Sequence, residues 1–85
     1  MTTLTIQGDL LFSTIEQQRK ALEKQLSATQ GDVQIDLSGV GRVDSSALSL
    51  CLCCLRLAQQ RGQSVQFAHI PAGLNAIAEL TGITL

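Results

Sequence analysis

The sequence predicts a single α/β domain over residues 1–85, with helices packed against a mixed β-sheet in the order β-β-α-β-α-β-α. The chain of 85 residues is too short to divide into two domains that each bury a core. Its composition, 45% hydrophobic and 15% charged, is that of a chain that folds rather than one that stays disordered. Along the chain, segments in which apolar and polar residues alternate are followed by segments of helical periodicity. This order favours strands joined by helical crossovers.

Extended segments are predicted at the start of the chain and again near its centre. Leu4–Gln7 alternates apolar and polar residues, and Gly8-Asp9 is typical of a turn into a second short run, Leu10–Phe12, so we predict a β-hairpin. Val33–Leu37 alternates strictly, with its three aliphatic residues on one side, and is predicted to be a central strand.

Three helices are predicted between and after the strands. Ser13 can cap the first, with a glutamate three residues later as in a capping box, and its apolar face runs to about Ser27. The second helix starts at Ser45-Ser46. Beyond it, Val65–Phe67 is expected to return as a parallel strand, and a last helix follows Pro71. The residues of this last helix expected to point inward are Leu74, Ile77, Ala78 and Leu80.

The carboxyl end of the central strand holds the residues that could carry a function. A glycine-rich loop is predicted from Ser38 to Asp44, and it leads to the helix start at Ser45. The unpaired N–H groups of a helix start favour negative charge, so a phosphate on Ser45 would be well placed. The other interpretation is that Asp44 or Ser45 simply caps the helix. The two carboxylates and three hydroxyls between Asp36 and Ser46 form the candidate site.

The cysteines do not indicate a metal centre. Cys51, Cys53 and Cys54 stand within four positions of one another, and the single histidine, His69, belongs to a different element. Since zinc requires four ligands, we expect Cys51 and Cys54 to be small buried hydrophobic side chains, with Cys53 more exposed. A disulfide framework needs pairs that are spread out, so a reducing compartment is expected. No cofactor is predicted.

Catalysis is not predicted either. Ser45, Asp44 and His69 make a nominal serine–histidine–aspartate set, but no G-x-S-x-G elbow surrounds the serine. The segment Gly39–Gly41 lacks the lysine and the spacing of a nucleotide-binding loop. We therefore expect a protein that is not an enzyme, and any nucleotide would be bound by its partner.

Charge and hydropathy argue against two further kinds of partner. The formal net charge is −1, and the six basic residues are spread among acidic ones, which argues against nucleic acid. The start of the chain lacks a cationic leader, and the longest apolar stretch, Ala47–Leu55, falls far short of the ~20 residues of a membrane span. We expect a cytoplasmic protein that does not insert into a membrane.

Two runs in the candidate site resemble the signature of STAS domains. They are Ile35–Val40 and Arg42–Leu48, and the resemblance extends to the closing segment, Pro71–Leu80. The family includes bacterial anti-sigma factor antagonists and the MlaB component of Mla phospholipid transporters, and it implies the element order given above. It also implies that Ser45 matches the position that is phosphorylated in the antagonists and that is a functionally sensitive hydroxyl in MlaB-like proteins.

The resemblance is closer to the MlaB-like branch. Antagonists usually carry glycine after the paired serines, whereas this chain has Ala47. The MlaB-like branch implies a non-catalytic adaptor that binds the cytoplasmic ATPase subunit of an ABC transporter for phospholipid trafficking, and is peripheral at the inner membrane through that partner. The alternative is an anti-sigma factor antagonist that binds a serine kinase and is switched by phosphorylation of Ser45. The implied partner-binding residues are Ser38, Gly39, Arg42, Asp44, Ser45, Ser46 and Ser49.

The second helix offers a candidate docking face. Leu50, Cys53 and Leu57 fall off the stripe that we expect to face the core, so the outer face would be broadly hydrophobic. The other interpretation is that this helix has neighbours on both sides and is buried widely.

Overall fold

The computed structural model describes residues 1–85 as three strands that alternate with three helices. The elements are β1 (Thr2–Leu10), α1 (Ile15–Ser27), β2 (Val33–Val43), α2 (Ser45–Gln60), β3 (Val65–Ala68) and α3 (Ala72–Leu80). The predicted α/β class is confirmed. The predicted strand count and mixed sheet are wrong, because one sheet of three parallel strands is formed, in the order β1-β2-β3.

The predicted N-terminal hairpin is replaced by one continuous strand. The supposed turn, Gly8-Asp9, lies inside β1, which pairs in parallel with β2. The register shifts twice, between Thr5 and Gln7 and again between Gly8 and Leu10. Gly8 has a φ of 94°, a value that suits a bulge as well as a turn. The sequence pattern could not distinguish a bulge from a turn at Gly8, because β2, the strand that pairs with β1, is distant in the chain.

Helix α1 starts later than predicted. It begins at Ile15, and its N-cap residue is Thr14, which makes no side-chain capping hydrogen bond. The Thr14 hydroxyl instead donates to the carbonyl of Asp9 at 2.7 Å and accepts from the N–H of Leu11 at 3.0 Å. The capping box predicted from Ser13 is not formed, because the N-cap residue is Thr14, whose hydroxyl bonds within the turn between β1 and α1.

Strand β2 is longer than predicted and runs through the supposed glycine-rich loop to Val43. Strand β3 pairs only with its first part, Val33–Asp36, so the remainder of β2 is paired on one side alone, with β1. Gly39 permits this close pairing, because a Cβ there would lie 3.0 Å from the Gln7 side chain and 3.3 Å from a β1 carbonyl. A two-stranded ribbon therefore extends beyond the three-stranded sheet and leads to α2.

The helices lie on one face of the sheet. With the strand order β1-β2-β3, two right-handed crossovers place α1 and α2 on the same side. The buried strand residues that face them are Leu4, Ile6, Leu10, Val33, Ile35 and Leu37. The alternate positions on the other face, Thr3, Thr5, Gln34, Asp36 and Gln66, are polar and are exposed or half-buried. The core is aliphatic, as the near absence of aromatic residues requires.

The last helix follows the prediction except at its end. Leu74 and Ala78 are buried and Ile77 is half-buried. Leu80, predicted to point inward, is 88% exposed, because it lies about 120° around the helix from the buried Leu74. None of the three helices combines the length and the apolar character needed to cross a membrane.

Candidate functional site

Asp44 organises the junction between β2 and α2. Its Oδ1 accepts a hydrogen bond from the N–H of Ser46 at 2.8 Å, which caps the helix. Its Oδ2 accepts from the N–H of Phe12 at 2.9 Å, across 32 positions of the sequence. These hydrogen bonds, the one from Phe12 first, hold the pKa of the Asp44 carboxyl below its usual range. One carboxylate thus joins the start of α2 to the β1–α1 turn.

Ser45 is left free for other roles. It is the first residue of α2 and is exposed, and the capping role belongs to Asp44. Ser49, one turn further along the helix, is also exposed, while Ser46 is half-buried. Ser45, Ser46 and Ser49 therefore lie together at the N-terminal end of α2, whereas Ser38, the third hydroxyl of the predicted group, lies on β2. The unpaired N–H groups of a helix start give this surface a partial positive charge.

Arg42 lies on the last part of β2 and is fixed by a carboxylate of β1. The Arg42 backbone N–H donates to Oδ1 of Asp9 at 2.8 Å, and its Nη2 lies 3.2 Å from Oδ2. The pKa of Asp9 is held below its usual range chiefly by the backbone hydrogen bond from Arg42. The side chain of Arg42 is 80% exposed, and its charge is paired with that of Asp9 at the surface.

Ser38 and Gly39 belong to a different part of the surface. Both are exposed on β2, and the Ser38 N–H donates to Oδ1 of Asp36 at 2.9 Å. Seven positions of largely extended chain separate Ser38 from Ser45, or roughly 20 Å at the rise of a strand. The predicted loop would have folded these residues together, whereas the observed strand holds them apart.

The nominal catalytic set is not assembled as a hydrogen-bonded chain. His69 Nδ1 lies 3.0 Å from Oδ1 of Asp36, while both oxygens of Asp44 accept backbone hydrogen bonds. The Asp36 pKa is lowered, first by the Ser38 N–H and then by the His69 side chain. No three histidine, cysteine or acidic side chains come together in a way that could hold a metal ion.

The cysteines occupy the positions expected from the helical pattern. Cys51 and Cys54 are buried, Cys53 is half-buried, and all three are free thiols. Burial raises the pKa of Cys51 to about 12 and that of Cys54 to about 11. Neither buried thiol is therefore ionised at neutral pH, which suits a packing role.

Phe12 is a surface residue that the sequence analysis did not single out. The pattern predicts that it ends a hairpin strand, but it lies in the β1–α1 turn and is 84% exposed. It borders a shallow depression between α1 and α2, whose α2 side is lined by Ser46, Ser49, Leu50 and Cys53. Two signals could have identified it: it is one of only two aromatic residues, and it directly precedes the capping segment of α1.

The apolar residues on the flank of α2 are explained in part by packing against α1. Leu50 is only 3% exposed, so the interpretation that α2 is buried widely is correct for this residue. Cys53 and Leu57 are half-buried and line a narrow groove with Arg19 and Leu22 of α1. We use the name docking face for the surface around the depression at Phe12. Its residues are Phe12, Ser46, Ser49 and Cys53, which line the depression, and the adjacent exposed Ser45.

Comparisons with known proteins agree on the fold. A family model described as "Mlab, STAS domain" matches residues 1–84. Among solved structures, a sulfate transporter family protein from Wolinella succinogenes superposes with a TM-score of 0.71 at 14% identity, covering 95% of this chain and 66% of that one. The crystal structure of Mglu superposes with a TM-score of 0.61 at 23% identity, covering 82% of this chain and 17% of that one. No curated protein matches the sequence.

Proposed function

Because this chain belongs to the MlaB-type STAS domain family, we propose that it is a non-catalytic adaptor that binds the cytoplasmic ATPase subunit of an ABC transporter for phospholipid trafficking. In this role it supports the assembly or the activity of the transporter. STAS domains are in general not enzymes, and His69 pairs with Asp36 rather than with Asp44 or Ser45. The observation that carries the proposal is the exposed side chain of Phe12, whose backbone N–H is bonded by Asp44, the residue that caps α2.

The docking face has the composition of a protein-binding surface. Aromatic residues are the usual anchors of interfaces, and the Phe12 side chain is 84% exposed. Ser46 and Ser49 line the same depression and can form hydrogen bonds at its rim.

An anti-sigma factor antagonist is the alternative function, and the exposure of Ser45 favours it. A phosphate on Ser45 would add nearly two negative charges at the first position of α2, directly after the Asp44 carboxylate. It would gain from the helix N-terminus and be repelled by Asp44. Ala47, which stands where antagonists usually have glycine, is fully buried, so this departure does not alter the exposed surface.

A pull-down from native membranes tests both functions. Tagged wild-type protein is compared with Ser45→Glu and with Phe12→Ala, and captured proteins are identified by mass spectrometry. Ser64→Glu is the matched control, because Ser64 is also exposed but precedes β3, at the opposite end of the sheet from the docking face.

The adaptor proposal expects an ABC ATPase and its permease with the wild type and the control, and much less with the other two variants. Recovery of a serine kinase of the anti-sigma type would replace the adaptor proposal by the antagonist. Equal capture by all four proteins would contradict the proposed docking face.

The proposed location is the cytoplasmic side of the inner membrane, reached through the partner. Fractionation of cells should place part of the protein with membranes, and Phe12→Ala should move that part to the soluble fraction. A membrane-bound fraction that does not change in this variant would contradict attachment through the docking face.

A further inference from the structure

The outer edge of β1 is an unpaired strand without the usual protection. β1 is at one end of the strand order, so only one of its edges is paired. Natural edge strands are often blocked by lysine, by proline or by charge, yet Thr2–Gln7 contains no charged residue and no proline. The first charge of the strand is Asp9, which is already bound to Arg42. The edge is therefore able to accept another strand.

Only the first half of this edge is free. The Thr2 N–H bonds the carbonyl of Asp32, so Thr2, Leu4 and Ile6 direct their backbone groups toward β2, and the residues between them direct theirs outward. The outward carbonyl of Gln7 accepts from Gln18 Nε2 at 2.7 Å. The outward carbonyl of Asp9 accepts from the hydroxyl of Thr14 at 2.7 Å. Helix α1 thus blocks the second half of the edge.

The free groups form a self-complementary set. The N–H and C=O groups of Thr3 and Thr5 point outward, on either side of Leu4. If two copies of β1 meet antiparallel with a two-fold axis at Leu4, Thr3 of each copy lies opposite Thr5 of the other. Every free group of the two threonines then finds a partner, and the carbonyls that α1 occupies are not used. Threonine lies opposite threonine on the polar face, a favourable cross-strand pair.

The neighbouring flank of α1 is compatible with this pairing. Gln18 bonds β1, and the same flank continues with two uncharged residues, Ala21 and Gln25. A helix that crosses over between β1 and β2 lies about half a strand spacing from the edge, which places the two copies of α1 roughly 10 Å apart, a normal helix-packing distance. The opposite flank of α1, with Arg19, faces α2. The docking face therefore stays accessible.

We propose that this chain forms a two-fold symmetric dimer in which the β1 strands pair antiparallel through Thr3 and Thr5, giving a continuous six-stranded sheet. The occupant is a second copy of the chain because the segment Thr3-Leu4-Thr5 matches itself under a two-fold rotation and carries no charge that such a rotation would set against itself. The proposal does not depend on the proposed function.

Analytical ultracentrifugation over a range of concentrations tests the dimer with two variants. In Thr3→Lys/Thr5→Lys, each new lysine lies opposite one of the partner copy, and we expect the dissociation constant to rise roughly ten-fold or more. Thr5→Pro removes an outward N–H without removing a bond to β2, and should also give monomer. The matched control is Gln34→Lys/Gln66→Lys. It adds the same two charges to a neighbouring pair of β2 and β3 on the same face of the sheet, away from the β1 edge. Circular dichroism verifies that each variant is folded.

Disulfide cross-linking tests the register. Opposite residues of a hydrogen-bonded antiparallel pair have Cα atoms about 5.5 Å apart, within disulfide range, whereas residues offset by two positions are roughly 8 Å apart. In a Cys53→Ala background, a mixture of Thr3→Cys and Thr5→Cys proteins should therefore cross-link on oxidation, and either alone should do so much less.

Three results would overturn the proposal. They are a wild-type protein that stays monomeric at all concentrations, a dimer that persists in the edge lysine variant, and cross-linking as efficient in one variant alone as in the mixture. If β1 instead pairs with a strand of another protein, the wild type alone would stay monomeric. It would then form a complex with that protein, and Thr5→Pro would disrupt the complex.

Discussion

Phe12 and Leu10 are two positions apart, yet truncating them to alanine should have opposite consequences. Leu10 is fully buried at the end of β1, and its removal should cost about 3 kcal/mol, in the range of leucine truncations in cores. Only about a sixth of Phe12 is covered by the chain, since it is 84% exposed. For a side chain of about 200 Å², that is about 30 Å², or about 0.8 kcal/mol at 25 cal/mol/Å².

Binding should show the reverse order. A partner that covers most of the remaining area of Phe12, about 170 Å², would gain about 4 kcal/mol from it, and smaller coverage would gain about 2 kcal/mol. Phe12→Ala should therefore weaken docking by roughly 30-fold to 1,000-fold. Folded Leu10→Ala should still bind, because Leu10 does not reach the surface.

Thermal unfolding and capture of the partner measure the two effects in the same preparations. In a domain of this size, each 1 kcal/mol lowers the melting temperature by about 4–8 °C, so Leu10→Ala should lose about 10–25 °C and Phe12→Ala about 6 °C or less. A loss in Phe12→Ala as large as that in Leu10→Ala would refute the view that Phe12 is uncovered. Unchanged capture by a stable Phe12→Ala protein would refute its role as an anchor.

Two further predictions concern charge and thiol reactivity. The Asp44 pKa is lowered in the folded protein, so its carboxylate stabilises the fold at pH values above its ordinary pKa of 3.8, and this contribution is lost as the pH falls through the lower folded value. Urea unfolding of wild type and Asp44→Asn should therefore differ at neutral pH and converge in strong acid; a constant difference would contradict this. A thiol reagent should modify the half-buried Cys53 first, and Cys51, whose pKa burial raises to about 12, only on unfolding. Simultaneous modification of both would contradict the packing of α2.

The sequence predicted most elements whose signals are local. The alternation of Val33–Leu37 and the long apolar period of α2 identified a strand and a helix, because each pattern buries one face of a single element. The start of α2 was also located, since an aspartate followed by two serines is a common capping pattern. Ser45 and Ser46 lie at that start, whereas Ser38, the third hydroxyl of the predicted group, lies on β2.

The errors arose where distant pairing overrides local preference. Gly8-Asp9 has the composition of a turn, but pairing with β2 keeps the chain extended and uses the glycine for a bulge. The glycines of Ser38–Asp44 suggested a loop, whereas Gly39 serves the close approach of β1. The local pattern identifies Phe12 as an aromatic residue but could not place it, because Asp44, the residue that bonds its N–H, is 32 positions away.

The two-sided hydrogen bonding of Asp44 has a consequence for the rate and the cost of association. Since one carboxylate fixes both the first turn of α2 and the backbone at Phe12, the anchor and the serines around it are ordered when the chain folds. A partner then meets a preorganised surface and does not have to immobilise a loop, which removes an entropic penalty that flexible interfaces carry. Replacing Asp44 would not change any residue of the docking face. It should still slow recognition, because the first turn of α2 and the backbone at Phe12 would no longer be fixed relative to each other before the partner binds.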